Sequence, residues 1–179
     1  DFSLRELERE IAGRGLSAIL LSNPCNPTGV VLTCAELDDL AAVCAEGGAW
    51  LVLDGTYENF VFSDPEACED ENPAGPLPLA SSGPDQPAGG GSASAALQTF
   101  FYLPSGPHIV HLFSFSKAYG MMGWRVGYIA YPDFDGQDAL GKQIHKTLDC
   151  TTICAPVAGQ ALALECLQQD GQQYVAERV

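Results

Sequence analysis

The chain has 179 residues, enough for one domain with a sizeable core. Its 23 acidic and 8 basic residues give a formal net charge of -15 at pH 7, which argues against a nucleic-acid or anionic-membrane surface because no local cluster of basic residues offsets it. No unbroken apolar run reaches the roughly 18 residues of a spanning helix, and the N-terminus lacks the basic-then-apolar order of a secretory signal.

Ser3 and Glu6 have the spacing of a capping box, and Leu4, Leu7 and Ile11 supply an apolar stripe, so a first helix is predicted to end near Gly13 or Gly15. Ala18 to Ser22 reads as a buried strand. It runs into Asn23-Pro24-Cys25-Asn26-Pro27-Thr28-Gly29, where two prolines restrict the backbone and Gly29 relaxes it. Thr33 and Glu36 make a second capping box, followed by a helical face of Leu37, Leu40, Ala41 and Cys44 that Gly47-Gly48 should stop. Trp50 to Leu53 is the next strand, and strand-helix-strand with short connections predicts parallel α/β packing.

Residues 63–106 are rich in Pro, Gly, Ser and acids and contain no Lys or Arg, the composition of a long solvated excursion. Regular structure is expected to resume with strands at 109–113 and 126–131 around the segment 114–125. Helical patterns follow at Leu140, Ile144 and Leu148, and then, after Pro156, at Ala161, Leu164 and Leu167.

Seven cysteines, an odd number spread mostly through apolar segments, favour a reducing compartment. Cys150 and Cys154 have no second cysteine pair or suitably spaced histidine, so no metal site is expected. The expected location is cytoplasmic, with a plastid as the alternative if a transit peptide precedes Asp1. The first residue is not Met, so a fragment of a longer protein stays open.

Lys117 and Arg125 are the only Lys or Arg between Arg14 and Lys142. A lysine partly desolvated at a strand end can lose its proton and condense with an aldehyde, although an exposed surface lysine is the simpler reading. Ser114, Ser116 and Arg125 together offer hydroxyls and a bidentate cation suited to a phosphate. Asp54, where a strand ends, either pairs with a protonated aromatic nitrogen such as that of pyridoxal phosphate or caps a turn. Tyr57 and Asn26 have side chains able to bond a phenolic oxygen, against the plainer roles of a packing tyrosine and a turn asparagine.

Taken in order, Asn23-Pro24-Cys25-Asn26-Pro27-Thr28-Gly29, Asp54-Gly55-Thr56-Tyr57, and Ser114-Phe115-Ser116-Lys117 with Gly123-Trp124-Arg125-Val126-Gly127-Tyr128 resemble the consecutive signatures of the class I/II, fold-type I aminotransferases. The resemblance implies part of that family's large domain across residues 1–179, an α/β unit with a mostly parallel sheet flanked by helices. It implies pyridoxal 5'-phosphate as cofactor, with Lys117 as the imine-forming lysine and proton-transfer base and Asp54 on the pyridine nitrogen. Asn26 and Tyr57 would bind the 3-oxygen, and Ser114, Ser116 and Arg125 the phosphate. The implied activity is transfer of an amino group from an L-amino acid to a 2-oxo acid, in a homodimer. The run from Ser114 to Tyr128 most resembles plant or algal enzymes acting on aromatic amino acids or methionine.

The same resemblance implies that an upstream segment with further phosphate contacts and a stacked aromatic, and a downstream small domain with a substrate-binding arginine, lie outside this chain. A pyridoxal-phosphate lyase, a 1-aminocyclopropane-1-carboxylate synthase and an inactive cofactor-binding remnant are the competing readings.

Overall fold

The computed structural model describes residues 3–61, 103–133, 136–168, 171, 174 and 175. Most of the acidic excursion expected at 63–106 therefore lies outside the described residues. Its last four residues do not: Pro104 is fully buried, and its carbonyl lies 3.0 Å from Nε2 of His111, so this end of the stretch packs against the sheet instead of being solvated.

Helix α1 spans Leu4–Arg14 and ends where Gly15 turns left-handed at φ 64 and donates its N–H to the Ile11 carbonyl. The capping box expected at its start does not form. Ser3 occupies the cap position, but its side chain makes no capping bond, and its backbone carbonyl alone serves Glu6 and Leu7. Strand β1 is Ala18–Ser22.

Helix α2, Cys34–Gly47, has the predicted box in full: Thr33 N–H donates to the Glu36 carboxylate at 2.8 Å and Glu36 N–H donates to the Thr33 hydroxyl at 3.2 Å. Those bonds, from the Thr33 backbone first and its side chain second, hold the Glu36 carboxyl below its ordinary range. Gly48 terminates the helix in the left-handed conformation, as the Gly47-Gly48 pair predicted.

Strands β2 (Trp50–Asp54), β3 (Ile109–Ser114) and β4 (Gly127–Ala130) complete a four-stranded sheet in the order β1-β2-β3-β4. The first three are parallel and β4 is antiparallel to β3. The expected mostly parallel α/β sheet with helices is what the chain forms. A Cβ at Gly127 would stand 2.5 Å from the Phe113 carbonyl oxygen, so the close β3–β4 approach requires glycine there.

The main core joins Ile11 of α1 and Leu37, Leu40 and Cys44 of α2 to Leu51, Leu53 and Ile109 of the sheet. A second core of Phe115, Met121, Val126 and Ala163 lies beyond the C-terminal end of β3. Helix α3, Ala139–Asp149, half-buries the predicted stripe of Leu140, Ile144 and Leu148.

Helix α4 begins at Val157, just after Pro156, and runs to Gln168, but of its predicted face only Leu167 packs against the second core. Gly159 and Ala163 are buried while Ala161 and Leu164 are exposed, because a Cβ at Gly159 would stand 2.6 Å from Val126 and only a small-residue face can approach that closely. No helix among the described residues is long and apolar enough to cross a membrane.

Candidate functional site

In a parallel sheet the C-terminal strand ends open onto one edge, and that is where the three sequence signatures converge. Ser22 pairs in register with Asp54, and Asp54 with Leu112, so the turns after β1, β2 and β3 start side by side. Backbone bonds join them: Asn23 N–H donates to the Asp54 carbonyl at 3.0 Å and Gly55 N–H to the Leu112 carbonyl at 2.9 Å.

The first turn is fixed from within. Asn23 is 4% exposed and its amide oxygen accepts the Leu32 N–H at 2.8 Å, which ties the start of the turn to the approach of α2. Gly29, at φ 72, donates to the Cys25 carbonyl at 2.7 Å and closes the loop. Both Asn23-Pro24 and Asn26-Pro27 are cis. The Asn26 amide faces the second turn, where its Nδ2 donates to the Tyr57 hydroxyl at 3.2 Å. Two residues read separately from the sequence as ligands of one phenolic oxygen are therefore hydrogen-bonded to each other.

Asp54 ends β2 with one carboxylate oxygen engaged: Oδ1 accepts the Thr56 N–H at 2.9 Å and the Thr56 hydroxyl at 2.6 Å. The turn-capping role is real, and it also sets the orientation of the carboxylate. Thr56 is a residue that sequence reasoning quoted without assigning it this task, although Asp followed two places later by Thr is a readable signal for such a turn.

Lys117 stands on the turn after β3, closed by Gly120 N–H to the Lys117 carbonyl at 3.0 Å. Its side chain is exposed, as the simpler of the two readings had it, and its amine lies 5.8 Å from the centroid of the Tyr57 ring. The amine, the phenol and the Asn26 amide thus form one continuous cluster drawn from three turns.

A hydroxyl-guanidinium chain adjoins it. Ser114 Oγ accepts the Ser116 N–H at 3.1 Å, and Arg125 reaches the Ser116 hydroxyl at 3.4 Å while donating to the Met122 carbonyl at 2.9 Å. Arg125 adopts φ 54, unusual for a residue with a side chain, and follows the turn closed by Trp124 N–H to the Met121 carbonyl. Every residue predicted for the site therefore has a place at this sheet edge. Tyr119 and Tyr128, to which the sequence reading gave no role, both approach the ring of Phe115, between Ser114 and Ser116.

The family described as Aminotransferase class I and II matches residues 3–179. An aromatic aminotransferase of Arabidopsis thaliana, named ISS1, is 33% identical over 161 residues, covering 90% of this chain and 32% of its own length. A probable aspartate/prephenate aminotransferase of Aquifex aeolicus is 30% identical over 131 residues, 73% of this chain and 26% of its own. Among solved structures, an aromatic aminotransferase from Pyrococcus horikoshii superposes with a TM-score of 0.66 at 22% identity, covering 99% of this chain and 38% of that one. A Thermus thermophilus aspartate aminotransferase with maleate gives a TM-score of 0.67, also at 22% identity, over 98% of this chain and 36% of that one. The chain spans about a third of the length of these relatives. With its three signatures gathered at one sheet edge and a family match across nearly its whole length, the chain belongs to the class I and II, fold-type I aminotransferases.

Proposed function

We propose that this chain is the cofactor-binding part of an aminotransferase large domain, and that the whole protein transfers an amino group from an L-amino acid to a 2-oxo acid. The observation that carries this reading is the approach of the Lys117 amine to the ring of Tyr57, whose hydroxyl is bonded to Asn26.

The donor set fits pyridoxal 5'-phosphate group by group. Lys117 offers a primary amine for the aldehyde, and Asp54 keeps a carboxylate oxygen beyond those bonds to Thr56 for the ring nitrogen. The paired Asn26 and Tyr57 suit the 3-oxygen. Ser114, Ser116 and Arg125 suit the phosphate, a bidentate cation among hydroxyls. When bound, the cofactor supplies an aldehyde that captures amines and a ring that takes up negative charge.

In this reading Asp54 keeps the ring nitrogen protonated by ion pairing. The Lys117 amine would be the base that takes up the amino-acid α-proton and gives it back. Asn26 and Tyr57 would hold the cofactor's 3-oxygen, and Ser114, Ser116 and Arg125 its phosphate.

For the amino donor we propose an aromatic amino acid or methionine; the named activity of the Arabidopsis relative supports the aromatic option. The competing readings, a lyase or a 1-aminocyclopropane-1-carboxylate synthase, would use the same cofactor shell. Homodimerisation belongs to the same proposal. The test is product analysis of the whole protein with an amino acid and a 2-oxo acid. Exchange of the amino group supports transamination, whereas methylthioadenosine from S-adenosylmethionine would replace it with the synthase.

A further inference from the structure

The backbone of Asp54 is pinned by its neighbours in the sheet. Its carbonyl accepts the Asn23 N–H at 3.0 Å, Gly55 N–H donates to the Leu112 carbonyl at 2.9 Å, and Asp54 stands in register with Ser22 on one side and Leu112 on the other. The turn that follows is closed by Glu58 N–H to the Gly55 carbonyl at 3.0 Å and by Phe60 N–H to the Tyr57 carbonyl at 2.9 Å. The freedom left to Asp54 is rotation of its carboxylate about χ1 and χ2.

Thr56 takes up that freedom. Its hydroxyl donates to Asp54 Oδ1 at 2.6 Å and its N–H donates to the same oxygen at 2.9 Å. The hydroxyl bond has the short length of a charge-assisted contact. An ionised carboxylate has about four lone-pair sites, shared between its oxygens, and these donors fill those of Oδ1. Among the described residues no donor to Oδ2 is found. Hydrogen-bond donors prefer the plane of the group that accepts them, so convergence of both on Oδ1 also fixes the plane of the carboxylate.

We propose that Thr56 is a positioning residue for Asp54: its hydroxyl holds Oδ1 so that Oδ2 is the oxygen presented to a protonated ring nitrogen. This rests on the cofactor reading above and deepens it, because it names the side chain that aims the carboxylate. Any residue except proline would supply the N–H, but that bond alone leaves the carboxylate free to swing about it. The hydroxyl is specific to Thr or Ser, and the β-branch of Thr restricts its own χ1. Tyr57 follows directly and bonds Asn26 at 3.2 Å, so one short turn sets both the partner of the nitrogen and a partner of the 3-oxygen.

The test compares equilibrium binding of pyridoxal 5'-phosphate with that of its 1-deaza analogue, in which C–H replaces the ring nitrogen. The proteins are wild type, Thr56→Val and Thr56→Ser. Thr56→Val keeps the N–H and the branched shape and removes the hydroxyl. Its affinity for pyridoxal phosphate should fall by about twofold to tenfold, the range for one hydrogen bond, while its affinity for the analogue stays at the wild-type value. Thr56→Ser keeps the hydroxyl and should bind both ligands as the wild type does. A turn that is merely weakened loses affinity for both ligands equally; that result, or no loss for pyridoxal phosphate, overturns the proposal.

A second arm uses no cofactor. Scalar couplings in the chain labelled with carbon-13 and nitrogen-15 report the χ1 angle of Asp54. The wild type and Thr56→Ser should show one rotamer and Thr56→Val an average over several. Averaging in the wild type, or a single rotamer kept in Thr56→Val, contradicts the proposal, and the wild-type result stands even if Thr56→Val does not fold. Binding of neither ligand by the wild type overturns the cofactor reading, and with it the ligand named for Oδ2, whereas the couplings decide by themselves whether Thr56 holds Asp54.

Discussion

The Asn26 amide donates to the Tyr57 hydroxyl at 3.2 Å, across 31 residues of sequence, and this bond joins the turns that follow β1 and β2. The bond sets the two side chains in a fixed relation to each other.

Tyr57→Phe removes the hydroxyl and leaves the ring beneath the Lys117 amine. Loss of one such bond is worth about 0.5–1.5 kcal/mol, so affinity for pyridoxal phosphate should fall by roughly twofold to tenfold. Asn26→Ala should have a similar effect. The double substitution should weaken binding by less than the product of the two, because the residues share one bond. Equilibrium titration of the four proteins checks this, and strict additivity would contradict the coupling.

Thr33→Ala opens the capping box at the start of α2. Loss of such a cap costs about 1 kcal/mol, which lowers the melting temperature of a chain this size by roughly 2–4 °C. Ser3→Ala should change it far less, because the Ser3 side chain makes no capping bond. Thermal melts of the two variants compare a formed box with an unformed one.

Gly127→Ala places a methyl 2.5 Å from the Phe113 carbonyl in a strand pair that cannot yield without losing its register. Overpacking of this kind costs about 1–3 kcal/mol. The loss should reach the site, because Ser114, the register partner of Gly127, leads into the Lys117 turn. Chemical denaturation measures the stability, and cofactor titration of the fraction still folded measures the site.

His111 is half-buried on β3, and the loss of hydration there holds its imidazole below the ordinary histidine value, outweighing the opposing bond to Pro104. The unfolded chain therefore binds this proton more readily than the folded one. The contribution is complete above the unfolded value of about 6.5 and is lost as pH falls through the folded value below it. Glu58, raised by burial, acts in the opposite direction: its contribution is present below the ordinary glutamate range and is lost as pH rises toward about 7. The clean measurement is the difference in melting temperature between the wild type and His111→Gln, followed from pH 8 to pH 5. The wild type should lose more than the variant on acidification, and parallel curves would contradict the assignment.

Much of this architecture was legible in the sequence because local signals and tertiary demands agree. Thr33 with Glu36, and Gly47-Gly48, mark the two ends of α2 by chemistry that acts within a few residues. Strand-end motifs at Asp54 and Ser114 become neighbours because a parallel sheet aligns strand ends.

Other features depended on partners distant in sequence. Ser3 has the residue type for a cap but not the side-chain bond. The inward face of α4 is set by the nearness of Val126 to Gly159, which favours small residues over the leucine stripe that periodicity suggests.

The most direct test of the central claim is borohydride reduction of the chain with pyridoxal phosphate, followed by peptide mass analysis, with Lys117→Ala in parallel. The account predicts one stoichiometric adduct, on the peptide carrying Lys117, together with an absorbance band that is absent in Lys117→Ala. An adduct spread over Lys142 and Lys146, or a band that survives in Lys117→Ala, would contradict it.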